Sequence, residues 1–105
     1  MTFRPKLIRW TFADGPMAGT HFEHSFDDDG SVTWTILDGP YKGASKREKS
    51  CSVVSVNEKT AAISYLAASG HTLTVVLSLA DGRAVGFASN EKEWQVTSGT
   101  FEVVA

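Results

Sequence analysis

Between residues 61 and 90 the chain reads AAISYLAASGHTLTVVLSLADGRAVGFASN, and no other stretch restricts its folding as much. Runs rich in β-branched and aromatic residues are separated by Ala-Ser-Gly and Ala-Asp-Gly. Within them apolar side chains recur at every second position: Ala61, Ile63 and Tyr65; Leu73, Val75, Leu77 and Leu79; Val85 and Phe87. A period of two belongs to strands with one buried face, and short Gly-bearing turns join such strands as consecutive hairpins.

The same pattern extends in both directions. Residues 7–12 place Ile8, Trp10 and Phe12 on one face. Residues 20–26 set Phe22, His24 and Phe26 against His21, Glu23 and Ser25. Residues 31–37 carry Val32, Trp34 and Ile36 on one side. Residues 44–56 read as one long strand whose polar first half, Ser45-Lys46-Arg47-Glu48-Lys49, overhangs the core or forms an edge. Residues 94–104 form a last strand, interrupted near Ser98-Gly99 by a bulge. Residues 1–6 are a loose lead-in, because Pro5 disfavours a regular strand. No segment has an apolar stripe at helical spacing, and residues 90–95 have room for one helical turn.

About eight strands in a chain of 105 residues predict an all-β fold. The expected form is a small antiparallel up-and-down β-barrel, residues 1–105 as one domain, with an open meander or two-sheet sandwich as the alternative. The inward set should include Phe22, Val32, Ile63, Val75, Val85 and Phe101. In such a meander alternate connections share an end. Loops 14–19, 38–43, 67–70 and 89–93 fall at one end, and the shorter turns 27–30, 57–59 and 80–82 at the other. The longer loops mark the expected mouth.

Two of those loops repeat a pattern. Asp14-Gly15-Pro16-Met17-Ala18-Gly19 and Asp38-Gly39-Pro40-Tyr41-Lys42-Gly43 both fit D-G-P-x-x-G. Gly and Pro punctuate loops for backbone reasons alone, and this accounts for the repeat without a binding role.

Composition excludes several function classes. A net charge of −2 and no basic stripe with interleaved aromatics give no basis for nucleic-acid binding. No run approaches the roughly 20 apolar residues of a membrane helix. The single cysteine, Cys51, excludes an intrachain disulfide and a multi-cysteine metal site. Residues 1–6 lack the apolar run of a signal peptide, so the expected setting is the cytoplasm. Asp27-Asp28-Asp29-Gly30 resembles the start of a calcium loop. Its twelfth position is Asp38 and no helices flank it, so it reads as a hairpin turn. His21 and His24 alternate to opposite faces and His71 adjoins a turn, so no metal site is expected. No nucleophile elbow or phosphate-binding glycine loop is present, and no catalytic residue or cofactor is assigned.

The C-terminal half, with Ile63-Ser64-Tyr65-Leu66, Gly70-His71-Thr72-Leu73-Thr74, Asp81-Gly82-Arg83-Ala84-Val85-Gly86-Phe87-Ala88-Ser89-Asn90 and Ser98-Gly99-Thr100-Phe101-Glu102, resembles the family of molybdenum cofactor biosynthesis protein F. Gly19-Thr20-His21-Phe22 and the acidic turn before Ser31-Val32-Thr33-Trp34 extend the resemblance over the chain from about Gly19 onward. It implies a calycin-like (lipocalin-like) barrel, related in architecture to the phenolic acid decarboxylases. The decarboxylases use paired tyrosines, an arginine and a glutamate. Here residues 20–26 carry His24 and Phe26, and residues 31–37 carry no arginine.

The leading functional expectation is a barrel that binds a small hydrophobic or aromatic ligand. His24 is the polar member of an apolar strand face, and Phe22, Phe26, Trp34 and Tyr65 are expected beside it, with Trp10 nearby. A histidine inside a cavity can orient an acidic ligand or act as a general base. The alternatives are a barrel enzyme using His24 as its acid–base group, and a packed interaction domain that forms a homodimer through a strand edge.

Overall fold

A computed structural model describes residues 3–105. Its elements are β1 (Leu7–Phe12), β2 (His21–Phe26), β3 (Val32–Ile36), β4 (Ser45–Glu48), β5 (Cys51–Asn57), β6 (Thr60–Leu66), β7 (Thr72–Ser78), β8 (Arg83–Ser89) and β9 (Trp94–Val103). All pairings are antiparallel, in the order β4-β3-β2-β1-β9-β8-β7-β6-β5. The β1–β9 pairing wraps the sheet around, leaving only β4 and β5 as unpaired neighbours. The result is a nearly closed barrel, and no helix occurs among the described residues.

Alternation sets the interior. Ile8, Trp10 and Phe12 are buried, and Trp10 pairs with Phe22 on one side and Phe101 on the other. Across the barrel Ala61, Ile63, Tyr65, Val75, Leu77 and Ala84 are buried as well. Burying a Leu- or Ile-sized side chain stabilises by roughly 1.5–3 kcal/mol, so this set holds the ring together. Phe22, Val32, Ile63, Val75 and Phe101 take the inward positions expected of them.

Val85 and Phe87 do not. The register Val75↔Gly86 and Leu77↔Ala84 turns Ala84, Gly86 and Ala88 inward and sends Val85 and Phe87 outside. The reason is the Phe12 ring. A Cβ on Gly86 would meet Phe12 Cζ at 3.0 Å and Thr97 Oγ1 at 2.9 Å, so small residues face the space that Phe12 already fills.

The expected strand 44–56 is split at Lys49-Ser50, which raises the element count to nine. Its first part pairs with β3 and its second with β6. At the break, Cys51 N–H donates to Gly30 O over 2.8 Å. The break also resets the alternation. Glu48 pairs with inward Val32, and Cys51 pairs with inward Tyr65, three residues on rather than two or four. A shift of one residue exchanges the two faces of a strand.

The last strand has no bulge at Ser98-Gly99. β9 keeps one register against β8 through that point. Gly99 instead permits close approach: a Cβ there would overlap Thr11 O and sit 2.8 Å from Phe12 Cα.

The first two residues of the expected lead-in lie outside the described residues. The remainder is not loose. Phe3 N–H donates to Ser55 Oγ over 2.8 Å, and Lys6 exchanges backbone bonds with Ala105 and Phe26. In place of a helical turn at 90–95, Asn90 Oδ1 accepts from the N–H groups of Lys92 and Glu93, both over 2.8 Å. In the 27–30 turn, the Asp29 carboxylate takes the Ser31 N–H and hydroxyl and the Arg47 guanidinium.

The two D-G-P-x-x-G loops follow the same path. Gly15 and Gly39 have φ of 79° and 77°, and Gly19 and Gly43 have 82° and 92°. Ala18 N–H donates to Gly15 O and Lys42 N–H to Gly39 O, each over 3.2 Å. Gly19 and Gly43 donate back to the preceding strands, at Phe12 O and Ile36 O. Each opening aspartate then holds a backbone N–H of another strand: Asp14 takes that of Ser98, and Asp38 that of His21.

Candidate functional site

The barrel encloses a cavity of about 530 Å³. Its walls are aromatic, with Trp10, Phe12, Phe22, Trp34 and Tyr65 among them. Pro16 and Met17 from the first long loop, Ser69 and His71 from 67–71, and Glu93 line it at the longer-loop end. The sheet delivers these rings because β1, β2, β3 and β6 each turn aromatic side chains inward.

His24 sits in this wall at 1% exposure. It stacks on the Trp10 ring, with centroids 3.8 Å apart and planes inclined by 27°. Its Nε2 is 2.8 Å from Tyr65 Oη, a hydrogen bond across the barrel. Whichever atom donates, Nδ1 has no hydrogen-bond partner among the described residues. Burial disfavours the imidazolium and pushes the His24 pKa down to about 3. The residue is a neutral polar group at physiological pH. Burial likewise raises the Tyr65 phenol well above its usual range, with the charges of Glu48 and Cys51 adding to the effect.

Phe22, His24, Trp34 and Tyr65 thus come together around one space. Phe26 shares their strand face and packs against the core, but it does not border the cavity. Cys51 is half-buried, and desolvation pushes its thiol up to about 11, which leaves it a poor nucleophile near neutral pH.

Glu48 is the residue that sequence reasoning missed. Its sequence neighbours predict a polar overhang, yet it is 3% exposed and lines the cavity. One carboxylate oxygen accepts the Trp34 indole N–H over 3.1 Å, and the other accepts the Ala68 N–H over 3.2 Å. Glu48 therefore bridges β3 and the 67–71 loop beside the unpaired β4–β5 seam. On an uninterrupted strand it would face outward with Ser52 and Val54. Only the reset at Lys49-Ser50 brings it inside, and no local signal in the sequence announces that reset.

The mouth carries a second polar group. His71 Nε2 lies 2.6 Å from Glu93 Oε1 and 3.2 Å from Asn90 Nδ2, tying the 67–71 loop to the 90–93 loop. Among the described residues no group of three or more His, Cys, Asp or Glu side chains is arranged to hold a metal ion.

No known family description matches this chain. No curated protein matches it either. A similar solved structure is a crystal structure from Burkholderia vietnamiensis described as a putative beta-lactamase. It is 23% identical, with a TM-score of 0.76 over 97% of this chain and 95% of that one. The likeness is one of fold: both chains build the same barrel over nearly their whole length.

Proposed function

We propose that this chain is a small-molecule-binding barrel that takes a compact aromatic ligand into its central cavity. The observation that carries the reading is the cavity itself, about 530 Å³ with aromatic walls and a few polar atoms. Binding sites of small molecules have this make-up and this order of size. A packed interaction domain would have filled the space. The unpartnered Nδ1 of His24 adds support, since a buried polar atom without a partner costs free energy that a ligand contact recovers. The resemblance to the molybdenum cofactor biosynthesis protein F family, with its calycin-like barrel, agrees with the same reading. The proposal is of a single-domain protein working in the cytoplasm.

An enzyme reading has less to stand on. His24 Nε2 is committed to Tyr65, and Glu48 spends both oxygens on N–H donors. The activity ascribed to the Burkholderia protein does not transfer on fold alone.

Amide chemical-shift mapping with indole-sized aromatic compounds tests the proposal. Saturable shifts at Ala67, His71, Gly86 and Gln95 are expected. Absence of saturable shifts across the panel, or shifts confined to Gly30, Glu58 and Gly82 at the other end, would overturn it.

A further inference from the structure

The cavity wall holds one buried carboxylate, Glu48, and no salt bridge engages it among the described residues. Its two hydrogen bonds come from neutral N–H donors, the Trp34 indole and the Ala68 backbone. Such donors stabilise a carboxylate but leave its charge uncompensated, and a buried charge without a counter-charge is costly.

The other ionisable groups facing the space do not offset it. His24 is neutral, and Tyr65 is held as the phenol. Lys46 borders the cavity but is exposed, so water and salt screen its charge. At the mouth, Glu93 is engaged by His71. The enclosed part of the site therefore holds a carboxylate group and no buried lysine or arginine. Its walls are aromatic, and ring faces attract cations.

Resting on the binding reading above, we infer that the ligand is a compact organic cation, an aryl-alkyl amine or ammonium compound, with Glu48 as its counter-ion inside the aromatic-walled cavity. An acidic ligand, which His24 by itself would suit, would have to enter beside this carboxylate with no buried positive charge to receive it.

The test is calorimetric titration of the whole protein with three compounds of one shape: tryptamine (cation), 3-ethylindole (neutral) and indole-3-acetate (anion). Tryptamine should bind roughly tenfold or more tighter than 3-ethylindole, and indole-3-acetate should bind weakest. In Glu48→Gln the advantage of tryptamine over 3-ethylindole should fall to about twofold or less. A persistent advantage would remove Glu48 from the role. Should that variant fail to fold, NMR on the parent protein decides: the aminomethylene protons of tryptamine should contact the Trp34 indole N–H, and absence of that contact overturns the assignment. If 3-ethylindole or indole-3-acetate binds as tightly as tryptamine, the cation inference fails and the binding reading stands. If none of the three binds, the binding reading fails and the inference falls with it.

Discussion

His24 Nε2 and Tyr65 Oη meet at 2.8 Å across the barrel, although 41 residues separate them along the chain. The bond ties β2 to β6, strands that are not neighbours in the sheet, and it lies in the cavity wall. It makes His24 both a structural and a candidate ligand-contacting residue. The two roles separate by experiment.

The first prediction concerns acid stability. The unfolded chain protonates His24 below about pH 6.5, whereas the folded protein keeps it neutral down to about 3. Between those values the unfolded state binds the extra proton, so stability falls as pH falls. The slope approaches about 1.4 kcal/mol per pH unit for one proton. His24→Phe removes this term. Denaturant melts from pH 6.5 to 4.5 should show the parent losing stability faster than the variant. Parallel profiles would show that His24 does not carry the effect.

The second concerns coupling. Tyr65→Phe leaves His24 with no hydrogen-bond partner on either nitrogen and should cost about 1–3 kcal/mol. In His24→Phe/Tyr65→Phe neither group remains to be orphaned. The double variant should be less destabilised than the sum of the singles, and a double-mutant cycle in urea measures the difference. Strict additivity would mean that the bond contributes nothing.

The third concerns Gly99. Any side chain there collides with the Thr11 carbonyl and the Phe12 backbone. Gly99→Ala should cost about 4 kcal/mol or more, or prevent folding outright. A thermal melt within a few degrees of the parent would show that β1 and β9 can separate without loss.

The fourth concerns the first long loop. Asp14 accepts the Ser98 N–H and hydroxyl, and those bonds lower its pKa below 3.8, the backbone bond contributing most. A depressed carboxyl stabilises above its unfolded value and loses that contribution as pH falls through its folded one. Asp14→Asn should therefore be less stable than the parent at pH 7, with the gap closing below about pH 3.8. A gap independent of pH would assign the effect to geometry and not to charge.

Much of this molecule was legible in its sequence because the signals are local. Period-two alternation in residues 61–79 and Gly-bearing turns define strands wherever they occur, and Phe22, His24, Trp34 and Tyr65 lie on strands whose alternation is unbroken. Two features were not legible. Hydrophobicity pointed to Val85 and Phe87 as the inner face of β8, but the Phe12 ring from β1 occupies that space, a fact of tertiary packing. Glu48 looked like solvent-exposed charge because the strand was read straight through Lys49-Ser50. The change of partner from β3 to β6 at that point depends on residues far along the chain, and it hid the one buried carboxylate in the cavity wall.

The paired D-G-P-x-x-G loops carry a lesson of another kind. They take one backbone path at two sites whose flanking strands, ending in Phe12 and Ile36, have different sequences and different neighbours. Geometry that recurs in changed surroundings resides in the hexapeptide. The motif is in effect a portable connector: it reverses the chain and offers a leading carboxylate to clamp whichever strand lies alongside. Grafted between two strands of an engineered barrel, it would bring its own joint and its own rivet.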